Sequence, residues 1–351
     1  RVLLLGTQQK LTDNWQLEGE LSLRDDEREF VQSFRGFAGS LSTQDRDAVE
    51  FTPRLIGRFD GTVYTIGFDQ LNTDYLLVTA FGPQGNDQQI QALYGQVTHP
   101  LSDRTSITTG IRHAQVDNDI DNGGTPVTLD DDVTVGSLGL VFKPDERWRL
   151  YARADQNYRF AKVDEHTNVP FGQPVGLDNQ TGISYETGAS FTGPKAQVSV
   201  NAYLLELEDE ISFDASSFFN INLPETRRRG LTTSLDLSGD GMFGGGIGYS
   251  YVDSEITSGP FTGNEVPLVP AHRVSAYLGA RPSSDTSVRL DLEYVSEQFL
   301  GGDFNNTSPE LDAYTVVDLV AHRDFDAWRL TFKVNNLLDE KPPFVYQGVT
   351  A

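Results

Sequence analysis

The chain has 351 residues, a formal net charge of -24 from 27 Lys+Arg against 51 Asp+Glu, and no cysteine. No run of eighteen apolar residues occurs, which excludes a transmembrane helix. The acidic balance excludes a basic nucleic-acid face, and the lack of thiols excludes a disulfide framework or a thiolate metal site. A mean hydropathy of -0.37 looks like that of a soluble acidic protein, but an average misses a wall in which only every second residue meets lipid.

Along the chain, period-two alternation recurs. Trp15, Leu17, Gly19, Leu21 and Leu23 alternate with Gln16, Glu18, Glu20 and Ser22. The same pattern returns at Val198-Ser199-Val200-Asn201-Ala202-Tyr203-Leu204 and at Val274-Ser275-Ala276-Tyr277-Leu278. It returns again at Val288-Arg289-Leu290-Asp291-Leu292-Glu293 and at Trp328-Arg329-Leu330-Thr331-Phe332-Lys333-Val334. Such segments are strands with one apolar and one polar face.

Tight-turn residues separate them in pairs: 12–14, Asp60-Gly61, 102–104, 144–147, 193–195, Gly239-Asp240-Gly241, 282–285 and 324–326. Eight hairpins give about sixteen strands. Longer polar segments at roughly 25–48, 73–88, 115–132, 159–183, 209–226, 253–270 and 297–311 are expected to be loops. Short turns at one end and long loops at the other are the pattern of outer-membrane barrels. Trp15, Trp148 and Trp328 each open the strand after a short turn, which predicts an indole girdle at one membrane interface. The expected fold is therefore all-β, an antiparallel up-and-down transmembrane β-barrel over residues 1–351. Outer-membrane lipid and lipopolysaccharide are its expected surroundings. The sole methionine is Met242 and no signal peptide is recognisable, so Arg1 is not expected to be the natural start of the gene product.

The segment from Asp312 to Leu338 reads Asp-Ala-Tyr-Thr-Val-Val-Asp-Leu, a turn, then Trp-Arg-Leu-Thr-Phe-Lys-Val-Asn-Asn-Leu-Leu-Asp. It resembles the penultimate strand pair of TonB-dependent receptors. Residues 222–231, Val269-Pro270-Ala271-His272-Arg273 and Ser184-Tyr185-Glu186-Thr187-Gly188 resemble further strand entries of that family. The resemblance implies import of a scarce small-molecule metal chelate: siderophore iron, haem or a cobalamin-like complex. It also implies a twenty-two-stranded barrel and an N-terminal plug coupled to TonB. No plug is recognisable, and sixteen strands are counted, so the chain is expected to hold about strands six to twenty-one, short of the last. A passive sixteen-stranded porin and a non-transporting surface receptor barrel are the alternatives.

No catalytic set stands out. The five histidines lack ligand spacing and no Gly-x-Ser-x-Gly elbow occurs, so no enzyme and no organic cofactor are expected. Arg112, Asp155, Arg159, Phe160 and Glu206 are the candidate ligand-binding residues, placed towards the loop end of the lumen. Loop aromatics Phe171, Phe218, Phe219, Phe299 and Phe304 could stack on a chelate or pack loop against loop. Asp117, Asp119, Asp121 and Asp131 could offer hard oxygen ligands to Ca²⁺, although the distal glutamate of an EF-hand is lacking. Arg227-Arg228-Arg229 is the only basic run, suited either to lipopolysaccharide phosphates or to ordinary strand-end pairing.

Overall fold

The computed structural model describes residues 1–32, 39–121, 126–166, 176–214, 217, 219–237, 241–343, 345–346 and 349–350. Seventeen antiparallel strands form one sheet. The first are β1 (Val2–Lys10), β2 (Trp15–Gln32), β3 (Ser40–Phe51), β4 (Arg54–Phe59), β5 (Thr62–Thr79) and β6 (Gly82–Ser102). Next come β7 (Thr105–Asp121), β8 (Val127–Phe142), β9 (Trp148–Arg159), β10 (Gln180–Thr192), β11 (Gln197–Asp214) and β12 (Phe219–Leu237). The sheet ends with β13 (Phe243–Ile256), β14 (His272–Ser283), β15 (Thr286–Val295), β16 (Tyr314–Phe325) and β17 (Trp328–Val334).

β3 and β4 are two pieces of one stave. Both pair with β2 on one side and β5 on the other. Pro53 has no N–H to give to a ladder, so pairing lapses at Thr52-Pro53. The break is spanned by Thr52 N–H to Glu20 O and Phe68 N–H to Pro53 O, both at 3.0 Å. Sixteen staves result, as the hairpin count predicts. β1 pairs with β2 alone and β17 with β16 alone, so among the described residues the sheet has two free edges and does not close on itself.

Seven of the eight short turns fall where turn chemistry predicts, and the eighth, at 239–241, lies largely outside the described residues. At Asp60-Gly61 both residues have positive φ (47° and 78°), the geometry of a two-residue turn matched to strand twist. The long-loop expectation is corrected at four places. Segments 25–48, 73–88, 115–132 and 209–226 are mainly strand, and β5 joins β6 through Ala80-Phe81 alone. The ladder continues into water, where the outward residues no longer have to be apolar. Polarity on both faces was therefore no sign of a loop.

The two faces separate as alternation predicts. Leu290 stands opposite Leu278 and Leu319, while Phe332 faces Ala321 and Val334 faces Leu319. Exposed apolar side chains on this outward face include Leu93 (60%) and Ile111 (62%). Arg273, Arg289, Asp291, Glu293 and Lys333 occupy the other face. That face is the concave one: the segment after β9 is held by side chains of β6 and β12 together.

The three tryptophans share the outward face at the short-turn end. Each packs on a neighbouring phenylalanine: Trp15 on Phe59 (5.5 Å between ring centroids), Trp148 on Phe191 (5.0 Å) and Trp328 on Phe325 (4.0 Å). On the inward face, tyrosines lie flat over glycines of the adjacent strand. A Cβ at Gly67, Gly188, Gly230 or Gly246 would sit 2.2–2.5 Å from the ring of Tyr94, Tyr151, Tyr203 or Tyr277. Two rings reach one strand further: Tyr151 O–H donates to Asn201 Oδ1 at 2.8 Å, and Tyr277 O–H to the Asp236 carboxylate.

Candidate functional site at the loop end of the barrel

The polarity of the wall inverts near its outer end, and β7 shows where. Below, Ile107 and Ile111 face out while Ser106, Thr108 and Arg112 face in. Above, His113, Gln115, Asp117, Asp119 and Asp121 are all turned outward and the inward Ala114, Val116, Asn118 and Ile120 are buried. The lower part spans hydrocarbon, and the upper part stands in water and needs its own core.

The segment after β9 supplies that core. β9 leaves β8 beyond Asp155, and Phe160 packs on Ala92, Ala114 and Val116, with Tyr158, Ile90 and Val133 around it. Gln88 Nε2 donates to Ala161 O at 2.9 Å and Asn86 Nδ2 to Val163 O at 3.4 Å. Both amides also donate to Asn118 Oδ1. On the far side Asn220 Nδ2 donates to Glu165 O at 2.8 Å. The segment is thus strapped between the β6 and β12 walls. Burial pushes His166 down, against Glu165 and Asp164, and among the described residues its Nδ1 has no partner. Tyr75 is pushed up to about 12, chiefly by burial, with Asp164 adding to the rise and Arg46 opposing it.

A second cluster closes the β12–β13 side, where Leu223, Ile256, Val266 and Phe304 pack with Phe261. Asn264 Nδ2 donates to Phe304 O at 2.8 Å, and Asn306 exchanges two hydrogen bonds with the Glu265 backbone. Phe304 is therefore core, Phe219 opens β12, Phe299 is half-buried, and Phe171 and Phe218 lie outside the described residues.

Of the candidate ligand-binding residues, four face inward. Arg112 is held by Asp69 Oδ2 (2.6 Å) and by the Tyr158 hydroxyl (2.8 Å). Asp155 accepts from Arg153 Nε, two residues along its own strand. Arg159 binds both Glu165 oxygens at 2.8 Å and the Ile211 carbonyl at 3.1 Å, clamping the strap. Phe160 is core. Arg112, Arg159 and Phe160 therefore meet around Tyr158 and the strap, with Asp155 below them.

Glu206 corrects the expectation. It continues the parity of Val198, Val200, Ala202 and Leu204, so it is exposed on the outward face, opposite Ile183 and Arg227. The calcium candidates do not converge either. Asp117, Asp119 and Asp121 face out, whereas Asp131 stands opposite inward Val116 and accepts from Asn179 Nδ2 at 2.6 Å. Among the described residues no group of three His, Cys, Asp or Glu side chains could hold a metal ion. The basic run is paired at every position: Arg227 with Glu255, Arg228 with Glu210 and Arg229 with Asp253, at 2.6–2.7 Å.

The residues missed in sequence are those of one inward row. Register aligns Asp26, Arg46, Tyr75, Asn86 and Ile120 across β2, β3, β5, β6 and β7. On the other side of the same wall, Asp25, Asp47, Asp74, Asp87 and Asp119 stand directly opposite one another. Placing the turn at Ala80-Phe81 and counting back would have paired Tyr75 with Asn86.

An open-edged antiparallel sheet with an apolar outer band, an indole girdle and an elaborated mouth defines an outer-membrane barrel. The family model described as the TonB dependent receptor-like β-barrel matches residues 1–337, and the chain belongs to that family. Its place is the Gram-negative outer membrane, and its members are receptors, not enzymes. Among solved structures the chain resembles the copper transporter OprC, with TM-score 0.84 at 15% identity, over 97% of this chain and 59% of that one. It also resembles the siderophore receptor PiuA from Acinetobacter baumannii, with TM-score 0.80 at 15% identity, over 97% and 60%. The unliganded ferric citrate transporter FecA gives TM-score 0.79 at 16% identity, over 99% and 58%. At such identities the likeness is one of fold, and the chain spans about three fifths of each of these structures. No curated protein matches the sequence. A self-contained sixteen-stranded porin would require a β1–β17 ladder, and the described residues form none.

Proposed function

We propose that this chain is the greater part of the barrel of an energised importer, which captures a scarce metal chelate at the loop end and passes it inward when TonB rearranges a plug. The supporting observation is the mouth itself. On a barrel of this family, two ordered loop clusters enclose inward polar side chains at the outer end, while the described turns at the opposite end are short. The two free edges fit about sixteen strands of a twenty-two-stranded barrel, with a plug domain and the remaining strands supplied by residues beyond these. The three similar structures carry different cargoes in their names, so no single cargo transfers. Copper capture by soft sulfur ligands finds no support in these residues, which include no cysteine and one methionine, Met242, at a short turn. The outward carboxylate row would lie at headgroup height, sharing divalent counter-ions with lipopolysaccharide phosphates. The test is uptake of radiolabelled iron, supplied as a panel of chelates, by cells with and without the gene. Uptake that needs the gene, TonB and the proton-motive force supports import, whereas passive flux of small solutes through the purified barrel would replace it with a porin.

A further inference from the structure

Several inward guanidinium groups of this wall are held by carboxylates. Arg54 pairs with Glu18, Arg112 with Asp69, Arg159 with Glu165, Arg228 with Glu210 and Arg289 with Asp291, all at 2.6–2.8 Å. Arg28 and Arg46 have no ion pair among the described residues, and neither do the inward Arg58, Arg149 and Arg273; what sets Arg46 apart is burial. The Arg46 Nε–H is buried without any hydrogen-bond partner. Arg24 comes no closer than 3.9 Å to Asp26.

These side chains are neighbours by register. Asp26 stands opposite Arg46, Arg24 opposite Ala48 and Arg28 opposite Gln44. Arg24 and Arg28 are therefore the two diagonal neighbours of Arg46, roughly 7–8 Å away and within reach of long side chains. Three guanidinium groups surround one carboxylate. The excess of positive charge is not for want of acidic residues nearby. Asp45 and Asp47 flank Arg46 in sequence, yet strand alternation turns both to the other side of the wall. The row continues into Tyr75 (3% exposed) and Asn86 (1%). Asn86 Oδ1 and, two residues away on the same face, Gln84 Oε1 are buried without a donor among the described residues. The strap passes over this row through Val163, and its Asp164 acts on Tyr75 with the opposite sign to Arg46.

A buried donor without a partner costs roughly 1–3 kcal/mol, and so does a buried acceptor. Several in one patch, beside three guanidinium groups that share one carboxylate, describe a surface prepared for something that brings both. We propose that Arg24, Arg28 and Arg46 form an anion-binding subsite on the inner wall of β2 and β3, taking carboxylate or phosphate oxygens of a ligand that enters from the loop end. Gln84 and Asn86 beside it accept hydrogen bonds from hydroxyl or amide groups of the same ligand. The cellular use of the subsite rests on the import proposal, but its chemistry does not.

The experiment is calorimetric titration of the full receptor in detergent with pyrophosphate and, separately, with citrate. Saturable binding is expected, weakened about tenfold or more in Arg46→Gln and in Arg28→Gln. Arg46→Lys should keep part of the affinity, since it retains the charge and loses the planar fork. Arg329→Gln, at the short-turn end, should bind as the native protein does. Retention of the folded form on unheated gels checks each variant. Absence of saturable binding by the native receptor, or equal weakening by Arg329→Gln, overturns the proposal. Neither result bears on import, which gene- and TonB-dependent uptake decides separately.

Discussion

Asp74 and Asp87 face each other directly across the β5–β6 ladder on the outward face, with Asp47 and Asp119 next in line on either side. Like charges in direct opposition destabilise a sheet. Asp87 is held above the usual carboxylate range by burial, then by Asp74 and Asp119. A carboxyl whose pKa is raised on folding contributes stability below its unfolded pKa and loses it as pH rises through the folded one. Stability of this end should therefore fall from acid towards neutral pH. Asp87→Asn should flatten the profile and, at neutral pH without divalent ions, stabilise by about 1 kcal/mol or less. Melting temperatures measured across the carboxylate range check this, and parallel profiles for the two proteins would count against it.

Gly230 should resist substitution because the Tyr203 ring occupies the space of its Cβ. Gly230→Ala must push the ring off its seat and should cost about 1–3 kcal/mol, as overpacking does. Tyr203→Ala should remove most of that cost in the double variant. A double-mutant cycle from urea unfolding in micelles reads the coupling, and additive effects would deny the contact.

An arginine at Leu290, in the outward band between Leu278 and Leu319, should cost roughly 2–4 kcal/mol in a bilayer. The inward neighbour Asp291 should tolerate asparagine far better. Folding titrations into vesicles distinguish the two positions, and equal costs would mean that the band does not meet lipid.

The indole rings should lie in one interfacial layer. In vesicles containing lipids brominated at different depths, Trp15, Trp148 and Trp328, each left as the sole tryptophan, should be quenched most by the shallowest bromines. A tryptophan quenched best near the bilayer centre would break the shared height.

Arg159→Ala removes the bidentate hold on Glu165 and the bond to the Ile211 carbonyl. Amide exchange over 160–166 should accelerate by about tenfold or more, while β14–β16 stays unchanged. Uniform acceleration throughout would instead indicate global destabilisation.

Alternation made the membrane-spanning part legible, because in hydrocarbon each outward position has to be apolar. Leu290, Phe332 and the three tryptophans all stand on the face their parity implies. The upper wall was illegible for the same physical reason. There the outward residues of β7, Asp117, Asp119 and Asp121, are polar and the inward Val116 and Ile120 apolar, so the alternation changes phase and the segment reads as a polar loop. Glu206 stands on the outward face and not in the lumen, as the parity of Val198 and Val200 already implies. Arg112, Arg159 and Phe160 lie together near the mouth, around Tyr158 and the strap. Arg46, Tyr75 and Asn86 needed the β3–β5 and β5–β6 registers, and the latter hangs on a turn marked in sequence only by Gly82-Pro83, where Gly82 takes a positive φ.

The inversion of polarity along β7 also bears on how the barrel is assembled. A slip of one residue would send Ile111 and Ile107 to the lumen and turn Arg112 to lipid. The same slip would drive Asp117 and Asp119 under Phe160 and expose Val116. The penalty is collected at both ends of one strand, in two different solvents. An assembling hairpin of β7 with its neighbours thus has its alignment checked twice. A mispaired intermediate that lipid alone would tolerate for a time is rejected as soon as the outer core begins to form.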